Sequence, residues 1–283
     1  MERVVGAWEV GAWRGVAQDR GLGGDMAEGT RATDPLSARM KAASREAHSA
    51  SDALVNARLA AALANRRKWG VALAHFYCIL REVEALVERA DESPALTACK
   101  RMLPLAGRTE AMEEDLSFYL GARWKMDLPL RTHAVQEYIA HLRSLEPFLL
   151  LPYAYHLHLG ICSGGQILGR TARRAMSLPE GRGTRTFEGF GAAGAAAIKR
   201  TYKAEVDALN LEEEDVQKIL AESVSVFQKN NSLIRSMPFR ASLHDFWQLL
   251  PLSYRWVLCG AGACAFAVAV ALAGAQSQGW LVR

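Results

Sequence analysis

The stretch from Tyr153 to Leu168 reads as a helix that ought not to hold three glycines. Pro152 falls where a first-turn proline is tolerated, and long apolar and aromatic side chains follow it, among them Tyr153, Tyr155, Leu157, Leu159, Ile161 and Leu168. Gly160, Gly164 and Gly165 interrupt that pattern, each costing up to about 1 kcal/mol against alanine inside a helix. A sequence keeps such a weak point where the backbone must bend or where something must approach it closely. The four-residue spacing puts His156, Gly160 and Gly164 on one face. That face is nearly free of side chains. It suits a large planar ligand lying on the main chain, and it equally suits close packing of a second helix over small residues.

A second stretch bears on that choice. From Leu36 to Asp52 the chain predicts an amphipathic helix. Lys41, Arg45, His48 and Asp52 share one face, while Leu36, Met40, Ala43, Ala47 and Leu54 fill much of another. A neutral imidazole is a haem-iron ligand, and two cations on the same face suit carboxylates. Together the two stretches resemble the haem oxygenase family. There the proximal histidine lies on the first helix, and the ligand's other face meets a kinked helix with a Leu-Gly-x-x-Ser-Gly-Gly-Gln run. Here that run is Leu159-Gly160-Ile161-Cys162-Ser163-Gly164-Gly165-Gln166. Segments 82–89, 90–94 and 114–124 resemble further parts of the family, and Lys199-Arg-Thr-Tyr202-Lys203 resembles its Lys-x-x-Tyr-Arg segment.

The resemblance implies an all-α haem oxygenase that opens haem b to biliverdin, iron and carbon monoxide. Haem is then both cofactor and substrate, O2 is the oxidant, and His48 is the metal ligand. Electrons would come from a separate NADPH-dependent cytochrome reductase, because no nucleotide-binding glycine motif follows a strand here. Asp52, one turn beyond His48, is placed to influence the ligand's surroundings. Lys41 and Arg45 would guard part of the propionate edge. Lys199, Tyr202 and Lys203 share one side at spacings of three and four, as a carboxylate clamp needs. Tyr155, Phe227 and Asn230 match pocket positions, and Gly160 and Gly164 form the distal face.

Three departures go together. The family's distal aspartate is Ile161, the arginine four residues earlier is Leu157, and a tyrosine of the second helix is Leu80. Ile161 neither donates nor accepts, so polarisation there falls to backbone N–H groups near Gly160 or to water. A haem-binding relative without turnover, acting as a sink or sensor, is therefore the alternative expectation. A tail-anchored helical adaptor that binds no haem is a third. His156 lies on the glycine face, whereas His75, His133, His141, His158 and His244 belong to no constellation.

Helical periodicity runs from Leu36 onward, with no alternating strand pattern. It predicts helices over 36–55, 66–91, 109–120, 132–145, 150–177, 194–208 and 212–236 in one domain spanning 36–236. Residues 1–35 read as a loosely ordered tail that lacks the apolar core of a signal peptide. A net charge of +4 without a basic–aromatic stripe argues against nucleic acid. Cys78, Cys99, Cys162, Cys259 and Cys264 are scattered without metal-site spacing, as fits a reducing compartment. After a linker at 237–254, residues 255–276 hold an uncharged run from Val257 to Ala275, and 277–283 close the chain. That run is long enough to cross a bilayer and is flanked by Trp256 and Trp280. Arg235, Arg240 and Arg255 precede it, predicting a tail-anchored protein of the endoplasmic reticulum membrane whose catalytic domain faces the cytosol.

Overall fold

The computed structural model describes residues 33–237, except 64, 92, 128–131 and 192–193. Among the described residues the regular structure is eleven α-helices and two short 3-10 turns (Pro147–Leu149 and Arg185–Phe187): α1 (Leu36–Ala43), α2 (Arg45–Leu63), α3 (Arg66–Arg89), α4 (Pro94–Ala106), α5 (Thr109–Leu120), α6 (Trp124–Asp127), α7 (His133–Ser144), α8 (Leu150–Cys162), α9 (Gly164–Ala175), α10 (Gly194–Asp207) and α11 (Glu213–Ser236). None of them is long and apolar enough to cross a membrane. The expected linker and membrane run lie outside the described residues, as does nearly all of the N-terminal tail.

The long central helix α3 shows why the sequence folds this way. Asn65 caps it, accepting from Lys68 N at 3.0 Å. Trp69, Leu73, Leu80, Val83 and Val87 then recur on one buried face. Gly70 lets α5 lie close: a Cβ there would sit 2.8 Å from Leu120 Cγ and Tyr119 Cβ. Helix α8 is the other central element. Leu150, Leu151, Pro152, Tyr153, Ala154 and Tyr155 are all buried, each large apolar side chain contributing on the order of 1.5–3 kcal/mol by burial. Pro152 is the third residue of α8, where its missing N–H removes no intrahelical bond.

Two predicted helices are each broken by one residue. The segment read as 36–55 is interrupted at Ser44, and its second part continues to Leu63. Ser44 Oγ turns back onto Met40 O at 2.8 Å, a side-chain bond that competes with helical geometry. The segment read as 150–177 breaks at Ser163, whose φ of −117° and ψ of −95° separate α8 from α9. Gln166 repairs the gap, its Nε2 donating to Ile161 O at 3.2 Å and Phe187 O at 2.8 Å. Helices α4 and α6 fall outside the helices that periodicity predicts. Interior Pro104 disguised α4, although Ser93 and Pro94 form a regular start for it.

The loop after α9 is fixed from below by α5. Asp115 accepts from Arg185 N at 2.9 Å, Thr186 N at 2.8 Å and Thr186 Oγ1 at 2.7 Å. Phe187 is thereby pressed against Gly165 and Gly169 of α9. Helix α11 closes the other side, where Ser51 Oγ of α2 donates to Asn231 Oδ1 at 2.7 Å.

Candidate functional site

Helix α2 presents His48 to solvent. Its side chain is 54% exposed, and Nδ1 lies 3.1 Å from Asp52 Oδ2 one turn later. Engaging Nδ1 with a carboxylate leaves Nε2 available to a metal, the usual arrangement of a ligating histidine. Phe227 of α11 stands beside it, with ring centroids 4.9 Å apart and edge-on.

The glycines divide into two pairs. A Cβ built on Gly160 or Gly164 meets nothing within 4 Å. Both residues are exposed, so no other helix among the described residues occupies their bare face. Gly165 and Gly169 are the packing glycines: a Cβ would come within 3.1 Å of Phe187 Cδ1 and 2.9 Å of Phe187 Cβ, respectively. Among the described residues, then, no second helix packs over Gly160 and Gly164, while Gly165 and Gly169 are covered by Phe187 of the following loop.

Leu80, Leu157 and Ile161, the three apolar departures, converge on one hydrophobic cluster. The three polar family positions are therefore replaced at one place, and Ile161 sits partly buried at its edge. Asn230 lies on α11 near Phe227, its Oδ1 accepting from Tyr138 Oη at 3.2 Å. Lys41 lies in the last turn of α1 and Arg45 begins α2, both exposed.

The proposed clamp on α10 is only partly assembled. Lys203 is exposed and Lys199 half-buried, but Tyr202 is fully buried and turns into the core. It packs 5.4 Å from the Tyr155 ring and 6.1 Å from the His158 ring. Spacing of three and four residues brackets a wide sector of helix surface, and Tyr202 occupies its inner margin. Tyr155 is buried as well, and burial pushes its hydroxyl up to about 12.

Behind α8 lies a polar cluster that spacing could not reveal. His158 is fully buried, with Nε2 3.1 Å from Glu84 Oε1. Glu84 also accepts from Arg108 N at 2.8 Å and Thr109 N at 3.3 Å. Burial pushes the Glu84 carboxyl upward, but His158 and these donors outweigh it and hold the group below the usual carboxylate range. Arg108 lies 4.0 Å over the Phe190 ring and donates to Glu188 O at 2.8 Å. The partners are 24 to 80 residues apart, so only the folded chain brings them together.

A helical domain with a carboxylate-backed histidine on one helix and a bare, bent glycine helix beside it belongs to the class of haem-handling α proteins. Residues 34–236 match the family model described as Heme oxygenase. The chain belongs to the haem oxygenase family. It is 31% identical over 207 residues to Heme oxygenase 1 of Homo sapiens, covering 71% of each chain. The crystal structure of heme oxygenase 2 from Chlamydomonas reinhardtii without heme matches with a TM-score of 0.70. That match has 32% identity and covers 74% of this chain and all of the other. The heme oxygenase-2 of Synechocystis sp. PCC 6803, in complex with heme and NO, matches with a TM-score of 0.65. Its identity is 25%, over 72% of this chain and 85% of that one.

Proposed function

We propose that this chain is a haem oxygenase, opening haem to biliverdin, iron and carbon monoxide with O2 and electrons from a separate NADPH-dependent reductase. The observation that carries the reading is the pairing of His48–Asp52 with a glycine face on which Gly160 and Gly164 have open space. The residues present fit the group. His48 would bind the iron, and the Cβ-free surface of α8 and α9 would take the flat ring on its other side. Bound haem supplies the iron that activates O2 and the ring carbon that is attacked.

This chain's residues then bind, orient and exclude. Asp52 holds the His48 Nδ1 proton and so aims Nε2. Phe227 walls the His48 side. Lys41, Arg45, Lys199 and Lys203 supply cations for the propionates, with Tyr155 and Asn230 as pocket residues. Ile161, Leu157 and Leu80 make an apolar distal wall that steers by shape. These side chains cannot donate, so any hydrogen bond to a ligand on that face would fall to backbone N–H groups near Gly160 or to water.

The reading also includes a membrane anchor over residues 255–276 and a place on the cytosolic side of the endoplasmic reticulum. The uncharged run from Val257 to Ala275 and its flanking Trp256 and Trp280 support it. The test of function uses the full chain in detergent, loaded with one equivalent of haemin and supplied with a reductase system under air. Decay of the Soret band with release of carbon monoxide and biliverdin is expected. A persistent Soret band without carbon monoxide overturns the reading.

A further inference from the structure

A strongly charged surface that the haem site leaves unused lies at one end of the domain. Helices α2 and α11 run in the same direction, since His48 meets Phe227 and, one turn on, Ser51 meets Asn231. Both therefore end on the same side. Helix α3 starts there, directly after α2, and Arg66 Nη2 of its first turn donates to Met176 O at 3.1 Å, which brings in the end of α9. The loop beyond α9 joins through Phe118, whose ring carries Arg66 at 5.7 Å and Arg182 at 5.0 Å. Ile234 and Met237 share one hydrophobic cluster with Leu63, Trp69, Met176 and Leu178 beneath these ends.

The charge there is one-sided. Arg66, Arg67, Arg170, Arg174, Arg182 and Arg235 are all exposed. Segments 53–81 and 223–244 hold no carboxylate, and Glu180 is the only one between Gly164 and Arg182. The groove beside Arg182 holds Glu110, Glu113 and Glu114, the last two paired with Lys125 at 2.7 Å and Arg185 at 3.0 Å. Cations in the last turns of α9 and α11 suit the negative ends of their helix dipoles. That does not account for α3, whose first turn carries Arg66, Arg67 and Lys68 and no acidic residue, against its own dipole. The chain leaves the domain at this same end, after Met237, and goes on to the uncharged run from Val257 to Ala275.

We propose that this end of the domain docks on an anionic lipid surface, its exposed arginines meeting the negative headgroups. Each cation near such a surface strengthens binding about fivefold. Several acting together hold a domain that the anchor has already brought close, because the second contact is intramolecular. The inference rests on the membrane-anchor reading above and adds to it the face that the domain turns towards the bilayer.

The test reconstitutes the full chain in vesicles of phosphatidylcholine alone, or with about one third phosphatidylserine, and follows phenylglyoxal modification of each arginine by peptide mass spectrometry. On the anionic vesicles Arg66, Arg170 and Arg182 are expected to react at least about fivefold more slowly than on the neutral ones. Salt at about 0.5 M, which cuts the screening length to a few ångströms, is expected to remove the difference. Arg200, exposed on α10, is the control and is expected to react equally on both. Arg67→Gln alone is expected to weaken docking about fivefold, and Arg67→Gln with Arg174→Gln and Arg235→Gln about a hundredfold, which abolishes the protection. Haemin titrations that match wild type show that the variants keep their fold. Equal modification of Arg66, Arg170 and Arg182 on both vesicles overturns the proposal, as does equal protection of Arg200. It is equally overturned if the triple variant keeps its protection on vesicles yet loses reductase-supported turnover, because the patch then serves an acidic protein. A chain that alkaline carbonate strips from phosphatidylcholine vesicles removes the anchor reading and this proposal with it. A chain that resists stripping but shows no dependence on lipid charge removes this proposal alone.

Discussion

Alanine at Gly160 or Gly164 separates folding from ligand binding, because the haem-free protein has no atom within 4 Å of either added methyl group. Gly160→Ala lies in the last turn of α8 and removes the helical penalty of glycine, a gain of about 0.5–1 kcal/mol. Gly164→Ala opens α9, where propensity weighs less, and the gain is about half of that. For a domain of this size these gains raise Tm by about 1–4 °C. Gly169→Ala is the control. Its Cβ would lie 2.9 Å from Phe187 Cβ, close to a backbone that Asp115 pins, so α9 and the loop must separate. Overpacking of that kind costs about 1–3 kcal/mol and outweighs the helical gain. Haemin binding is expected to order the variants differently. A methyl group at 160 or 164 lifts the ring off the main chain and weakens affinity at least about tenfold, or about 1.4 kcal/mol. The assay is urea unfolding of the haem-free chain paired with haemin titration followed at the Soret band. A less stable Gly160→Ala chain, or an unchanged haemin affinity at both positions, refutes the reasoning.

Three further outcomes follow from the same geometry. His48→Ala removes the proposed iron ligand, which lies in an exposed ion pair. Haemin spectra should lose histidine ligation and regain it with added imidazole, while stability moves by less than about 1 kcal/mol. Asp115→Ala leaves the N–H groups of Arg185 and Thr186 without acceptors, and urea unfolding should show a loss of about 2–4 kcal/mol. Glu84 is held below its unfolded value, so it contributes stability above about pH 4.5 that is lost as pH falls through its lower folded value. Glu84→Gln should therefore flatten the acid side of the stability profile, read as urea midpoints from pH 6 down to pH 3.

Short-range helical spacing made much of the site legible. His48 and Asp52 are four residues apart, and His156, Gly160 and Gly164 repeat at four, so one turn of helix already sets their relation. The glycines marked where the chain bends, and the break at Ser163 falls among them, but the break at Ser44 was not legible, since its side chain resolves the geometry only in three dimensions. Tyr202 shows the limit of spacing on its own. It shares a sector with Lys199 and Lys203, yet the packing of Tyr155 and His158 draws it inward. His158 had no visible partner because Glu84 lies 74 positions away on another helix. The division of glycines into open and packed pairs depends on Phe187, which reaches α9 only through the loop that Asp115 holds.

A crystal structure of the haemin complex tests most directly whether haem lies between His48 and the Gly160–Gly164 face. Iron bonded to His48 Nε2 is expected, with the porphyrin lying on the backbone of Gly160 and Gly164 and no side chain between them. Iron held by another residue, or a porphyrin seated away from these two glycines, would contradict it.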